Sequence, residues 1–270
     1  MIGEQKGSTE AENTLEDLGF DTLPISPETV CNEINDDNFK LVLEHKPFNS
    51  DAILGKAIGN EKGAVIYVNS NIPDKGRLNY TAAHEVGHAC MHIMPSIIQQ
   101  SFNCGRKELT DQFNDPIEKE ANGFASGLLM PKQLIKPLTD GDINWFNVNA
   151  IKDNCLTSLE ASFRRMISIY KDPAAMVIHK SGQFYRFVSS KSFEPYINRS
   201  PLSAEQKELC YDGLTDNLST EFETVDAIDW ITPEYKGNKL EAIYSSSIAL
   251  KNGFTYTILR YDDDCFEEAS

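Results

Sequence analysis

Thr81-Ala82-Ala83-His84-Glu85-Val86-Gly87-His88 is the stretch from which the rest of this chain can be read. On a helix, residues four apart lie one above the other on the same face. His84 and His88 then aim two imidazoles at one point, with Glu85 beside them. His-Glu-x-x-His is the helical spacing at which two histidines bind Zn²⁺ and the glutamate acts as general base. Ala82, Ala83, Val86 and Ala89 provide the small apolar surroundings that an interior helix needs. The motif fixes only three residues, and a helix whose histidines make ordinary hydrogen bonds satisfies it too. Two features weigh against that bland reading. The chain has five His in all, of which His84, His88 and His92 fall close together, and a suitable third ligand follows downstream.

That third ligand is sought in Pro116-Ile117-Glu118-Lys119-Glu120-Ala121-Asn122-Gly123-Phe124-Ala125-Ser126-Gly127-Leu128-Leu129-Met130-Pro131. Prolines bound the stretch, and Ile117, Ala121, Phe124, Ala125, Leu128 and Leu129 make a stripe of helical period. A catalytic zinc site built on two histidines needs one more protein ligand and an open position. Glu118 and Glu120 are the candidates, against the alternative that both merely favour the helix dipole. At about 100° per residue Glu118 borders the apolar stripe and Glu120 lies nearer solvent. Asn122, one turn beyond Glu118, is placed to hydrogen-bond a ligating imidazole. His92 is roughly 80° round the helix from His84 and is expected to pack or to act behind the ligands.

Composition narrows the classes. The chain has 270 residues, 40% hydrophobic and 10% aromatic, and is long enough for one large or two modest domains. No run approaches the ~18 apolar residues of a membrane span. The N-terminus lacks the order of a secretory signal, so a cytoplasmic protein is expected. Cys31, Cys90, Cys104, Cys155, Cys210 and Cys265 are scattered, which reads as reduced thiols rather than a disulfide framework or a cysteine zinc site. With 25 basic against 41 acidic residues, the net charge of −16 disfavours direct nucleic-acid binding, which depends on cationic contacts to phosphate.

Along the chain, residues 1–8 read as loose and Ala11 to Leu18 as a helix ending at Gly19. Ser26-Pro27 starts a second helix, with Ser26 as N-cap. Phe39 to Glu44, Ile53 to Ile58 and Ala64 to Val68 alternate or are β-branched, predicting a small antiparallel sheet. Ser96 to Asp115 is mixed and partly loop-like. Asn144 to Leu156 and Ser158 to Tyr170 form a helix pair. Beyond Asp172-Pro173 the texture changes: hairpins are predicted at 175–188 and 242–261, a helix at 203–218 and a strand at 222–231. The expected architecture is α+β. A zincin-like metallopeptidase domain at 1–172, with its small sheet and active-site helices, precedes a smaller α+β domain at 173–270.

The residues resemble a family. Arg77-x-Asn79-Tyr80-Thr81-x-Ala83-His84-Glu85-Val86-Gly87-His88, with Glu118-x-x-Ala121-Asn122-x-Phe124-Ala125-x-x-Leu128-Leu129-Met130-Pro131, is similar to the ImmA/IrrE metallopeptidases. Leu23 to Glu28 and Thr157 to Arg165 add to the likeness, which covers about residues 10–190. The resemblance implies a zinc endopeptidase that cuts helix-turn-helix repressors controlling stress, phage or mobile-element genes. It assigns His84, His88 and Glu118 to zinc and Glu85 to catalysis. Two rivals stand beside it. One is a binding protein with a structural or vestigial zinc site; the other is direct transcriptional control by the helix pair at 144–170. The charge predicts that a labelled DNA duplex will show no salt-dependent binding in fluorescence anisotropy; tight binding that weakens with salt would reverse this.

Overall fold

Helix α1 (Ile2–Asp17) is one continuous element where the sequence reads as loose for its first half. Gly7, Ala11 and Leu15, four residues apart, are its buried stripe. The computed structural model describes residues 2–50, 52–105, 115–212, 221–235 and 238–266. They form two compact units, Met1–Thr139 with Ile151–Ala161 and Asp140–Ala150 with Ser162–Ser270. The division falls inside a helix pair, α6 (Trp145–Cys155) and α7 (Leu159–Ile169). No helix among the described residues is long and apolar enough to cross a membrane.

In the first unit, Ser26 caps α2 (Pro27–Ile34) by accepting from the Thr29 amide at 3.3 Å. Strands β1 (Lys40–Lys46), β2 (Ile53–Asn60), β3 (Gly63–Asn69) and β4 (Gln100–Gly105) form one sheet in the order β1-β3-β2-β4. Ala64, Ile66 and Val68 alternate inward, as period two requires. The predicted all-antiparallel sheet is corrected at β1, which pairs with β3 in parallel, Leu41 opposite Ala64. Alternation identifies a strand but not its neighbour, and β2 is already taken on both edges by β3 and β4. Strand β4 itself lies in the stretch that reads as mixed.

Beside the sheet runs α3 (Lys75–His88), then α4 (Pro116–Leu129), then α1. Glycines set the spacing of these layers. A Cβ on Gly87 of α3 would come 2.9 Å from the Phe124 Cβ. One on Gly7 of α1 would come 2.7 Å from the Phe124 nitrogen, and one on Gly127 of α4 2.5 Å from the Ser8 carbonyl oxygen. The short helix α5 (Lys132–Ile135) follows, its Lys132 amide donating to Glu12 of α1 at 2.9 Å.

The second unit is built on a six-stranded sheet. β5 (Ala174–Lys180) and β6 (Gln183–Ser189) form the predicted hairpin, with Ser181 and Gly182 both at positive φ as a type I′ turn needs. β7 (Tyr196–Ile197) pairs with a later strand. The predicted helix at 203–218 is corrected: α8 spans only Ala204–Glu208, followed by β8 (Cys210–Asp212), and residues 213–220 lie outside the described residues. β9 (Glu223–Asp226) replaces the long strand expected at 222–231, giving way to a 3-10 turn and β10 (Ile231–Thr232), the partner of β7. β11 (Glu234–Tyr235) and β12 (Asn238–Lys239) pair with each other. β13 (Ala242–Ala249) and β14 (Phe254–Arg260) form the second predicted hairpin, and the sheet runs β6-β5-β14-β13-β8 with β9 also on β13. One face buries Val177, Trp230, Ile243 and Leu259. Trp145 donates its indole N–H to the Ser246 carbonyl at 3.1 Å.

The glycine seam generates a prediction. Ala normally improves a helix by about 1 kcal/mol over Gly, but at Gly7 or Gly123 the added methyl enters the facing backbone. Overpacking costs about 1–3 kcal/mol, so Gly7→Ala and Gly123→Ala should each lower the urea midpoint despite their better propensity.

Candidate metal centre

Asp74 starts α3 by accepting from the Arg77 amide at 2.7 Å. Every residue from Thr81 to His88 is buried. After His88 the helix widens into a π-turn, Ala89–Ile93, in which the Met94 amide reaches the Ala89 carbonyl at 2.9 Å. Single π-turns of this kind are frequent at functional sites. His92 lies within it, four residues beyond His88, and meets that ring from behind, as expected of a residue acting behind the ligands.

Asp115 caps α4 by accepting from the Ile117 amide at 2.9 Å, and Pro116 suits its first turn. The close crossing at Gly87 brings Glu118 and Asn122, one turn apart, against α3. His84 Nε2 and His88 Nε2 lie 3.1 Å apart. Glu118 Oε2 is 3.2 Å from the first and 3.5 Å from the second. The other carboxylate, Glu120, points away, pairing with Lys6 at 2.9 Å and with His92 Nε2 at 3.3 Å.

The hydrogen bonds behind the histidines decide which nitrogens carry protons. His84 Nδ1 lies 3.0 Å from Asn122 Oδ1, an acceptor, so Nδ1 is protonated and Nε2 bears a lone pair. The carboxylate of Glu120 accepts only, so His92 carries its proton on Nε2. Burial pulls His92 below the usual imidazole range, with partial opposition from Glu120; the neutral ring is then an acceptor at Nδ1. His88 Nδ1, 3.1 Å away, must donate to it. His88 Nε2 is therefore also bare. Burial brings His88 down to about 4 against the pull of Glu118. Glu118 Oε2, which faces both bare nitrogens, is itself buried with no hydrogen-bond partner.

Two bare nitrogens and a carboxylate oxygen thus converge at 3.1–3.5 Å, with no donor to hold them together. Tetrahedral zinc with ligand bonds of about 2.0–2.1 Å requires separations of roughly 3.3 Å. The donor set fits a divalent cation in both chemistry and spacing.

Glu85 is wholly buried, and neither carboxylate oxygen has a hydrogen-bond partner. Burial first, and the charge of Glu118 second, push its pKa well above the usual carboxylate range. Strand β2 passes directly over it: a Cβ on Gly55 would come 2.5 Å from Glu85 Oε1. On β4, Phe102 stacks on His88 with ring centroids 4.4 Å apart and planes 9° off parallel. Cys104, also on β4, approaches within 4.8 Å of ligand atoms of His84 and Glu85. Sequence reasoning missed Gly55, Phe102, Cys104 and Lys6, which carry no motif and reach the site only through the sheet and α1. Tyr80 donates to the Asn122 carbonyl at 3.1 Å. All six cysteines are free.

The fold is α+β, and the cluster of His84, His88 and Glu118 is compatible with a metal ion. Residues 36–148 match the family Peptidase_M78, the IrrE N-terminal-like domain, and the resemblance to the ImmA/IrrE peptidases stands on that match. At this coarse level the segment is of peptidase, hence hydrolase, type. The match includes β1–β4, α3 and α4, and leaves α1, α2, Leu23 to Glu28 and Thr157 to Arg165 outside. A Mycobacterium tuberculosis transcriptional regulator of known structure is similar over 94% of this chain and 87% of its own, with a TM-score of 0.48 and 11% identity. No curated protein sequence matches the chain.

The tautomer argument is testable without metal. Asn122→Ala removes the acceptor for His84 Nδ1–H, so ring ¹⁵N spectra should change from one His84 tautomer to a mixture while His88 keeps its own.

Proposed function

We propose that the chain is a zinc-dependent endopeptidase of zincin-like arrangement, cytoplasmic, whose substrate is a helix-turn-helix transcriptional repressor. The observation that carries this reading is the convergence of two unprotonated imidazole nitrogens and Glu118 beside an unpartnered Glu85. The repressor as substrate rests on the family resemblance alone. His84, His88 and Glu118 would hold the ion. Zinc bound there supplies Lewis acidity, lowering the pKa of a coordinated water towards about 7 and polarising a carbonyl.

The chain's own groups do the rest. Asn122 and His92 hold the two rings in the tautomer that leaves Nε2 free. Glu85, unengaged on both oxygens, takes a proton at a carboxylate oxygen from the attacking water and returns it to the leaving amine. Gly55 admits the backbone of β2 close to that carboxylate, and Phe102 screens His88 from solvent. Residues 1–172 serve as the peptidase part and 173–270 as a recognition or regulatory domain.

A second reading has one observation in its favour. His84, Glu85 and His88 are each 0% exposed, so a polypeptide substrate reaches them only after the covering strands move. A closed site of this kind also suits a protein that holds a partner without cutting it. The two readings part on Glu85. About one zinc per chain is expected, lost in His88→Ala and Glu118→Ala. Glu85→Gln should keep the zinc and fail to cleave a co-expressed repressor. Cleavage at the wild-type rate by Glu85→Gln overturns the mechanism, and equal derepression by both proteins favours the binding reading.

A further inference from the structure

A chain of hydrogen bonds leaves the metal centre and ends on the N-terminal helix. His88 Nδ1 meets His92 Nδ1 at 3.1 Å, His92 Nε2 meets Glu120 Oε2 at 3.3 Å, and Lys6 Nζ meets both Glu120 oxygens at 2.9 Å. The links grade from core to surface. Side-chain exposure is 0% at His88, 10% at His92, 18% at Glu120 and 63% at Lys6.

Each link constrains the next. His92 has two ring nitrogens, and only one carries a proton in the neutral ring. If Glu120 accepts at Nε2, Nδ1 must accept from His88, and His88 is left with its lone pair towards Glu118. Without Glu120, His92 can take the opposite tautomer and donate to His88 Nδ1. The proton of His88 then moves to Nε2, where it blocks a cation. Lys6, bonded to both oxygens of Glu120, holds that carboxylate turned towards His92.

The helix that carries Lys6 is seated for this purpose. Gly3 and Gly7 on α1 and Gly123 and Gly127 on α4 let the two backbones approach to contact distance, which any side chain at Gly7 or Gly123 would prevent. Lys6 sits next to Gly7 and is thereby delivered to Glu120. An exposed ion pair contributes little to stability by itself, so the geometry points to orientation rather than to holding the helices together. The segment matched to the peptidase family begins at residue 36 and does not include α1.

We propose that α1 is a working part of the metal centre, with Lys6, Glu120 and His92 as positioning residues that fix the tautomer of His88 and thereby set affinity for zinc. This rests on the zinc-site reading above, and the test separates the two. Deleting α1 would expose its seam on α4 and risk unfolding, so the side chains are changed and the helix kept. Zinc affinity is measured by competition with a chromophoric chelator for the wild type, Glu120→Ala, Glu120→Gln and Lys6→Met. The ring ¹⁵N spectrum of His88 is recorded on the same proteins without metal, and thermal melts check that each is folded.

Removing a partner behind a ligating imidazole weakens metal binding by about 10–100-fold. Glu120→Ala is expected in that range, with His88 changing from a single Nδ1–H tautomer to a mixture. Glu120→Gln, whose amide oxygen still accepts from His92, should recover most of the affinity, and Lys6→Met should lose only a few-fold. Wild-type affinity in Glu120→Ala with an unchanged His88 spectrum overturns the proposal. A wild type that binds no zinc overturns the zinc reading instead; the ring spectra of the metal-free proteins then decide whether the relay exists.

Discussion

His84 Nε2 and His88 Nε2 face each other at 3.1 Å, and neither has a proton to offer the other. Their outer nitrogens are committed to Asn122 and His92, which leaves the inner ones as opposed lone pairs beside the carboxylate of Glu118. A cation satisfies this arrangement, and the surrounding elements are placed so as to maintain it. Helix α3 supplies the two rings from consecutive turns. Helix α4 supplies the third donor and one ring's outer partner from consecutive turns of its own. The π-turn after His88 supplies the other.

Such convergence demands that helices approach closely, and glycine makes the approach possible. Gly87 lies in the motif between the zinc-type histidines and faces Ala121 and Phe124 of α4. A side chain there would push α4 outward and carry Glu118 away from the imidazoles. The same device recurs one layer further out, between α4 and α1. These glycines sit inside helices, where they cost propensity; close packing compensates for it.

The carboxylates around the site are separated by environment. Glu118 meets the two imidazoles at 3.2 and 3.5 Å from α4; Glu85, next to His84 on α3 and wholly buried, has no donor, and burial pushes its pKa above the usual carboxylate range. Strands β2 and β4 complete the enclosure through Gly55 and Phe102.

How much of this was legible beforehand follows from range. His84, Glu85, His88, Glu118 and Asn122 stand out because their chemistry is local: a four-residue spacing on a helix fixes which side chains share a face, whatever surrounds it. The caps at Ser26 and the two C-terminal hairpins are local in the same sense. The parallel pairing of β1, the strand β4 and the short α8 were not legible, because alternation and propensity do not say which segment a strand meets. Gly3 and Gly7 read as looseness since the residue that makes a chain flexible also lets two helices touch; only the facing backbone of α4 distinguishes them. His92 was expected behind the ligands rather than among them, and its contact with His88 Nδ1 has it there. The sequence by itself determined the donor set and its spacing. The tertiary structure decided the tautomers, the enclosure and the reach of α1, because those depend on contacts between segments far apart in the chain.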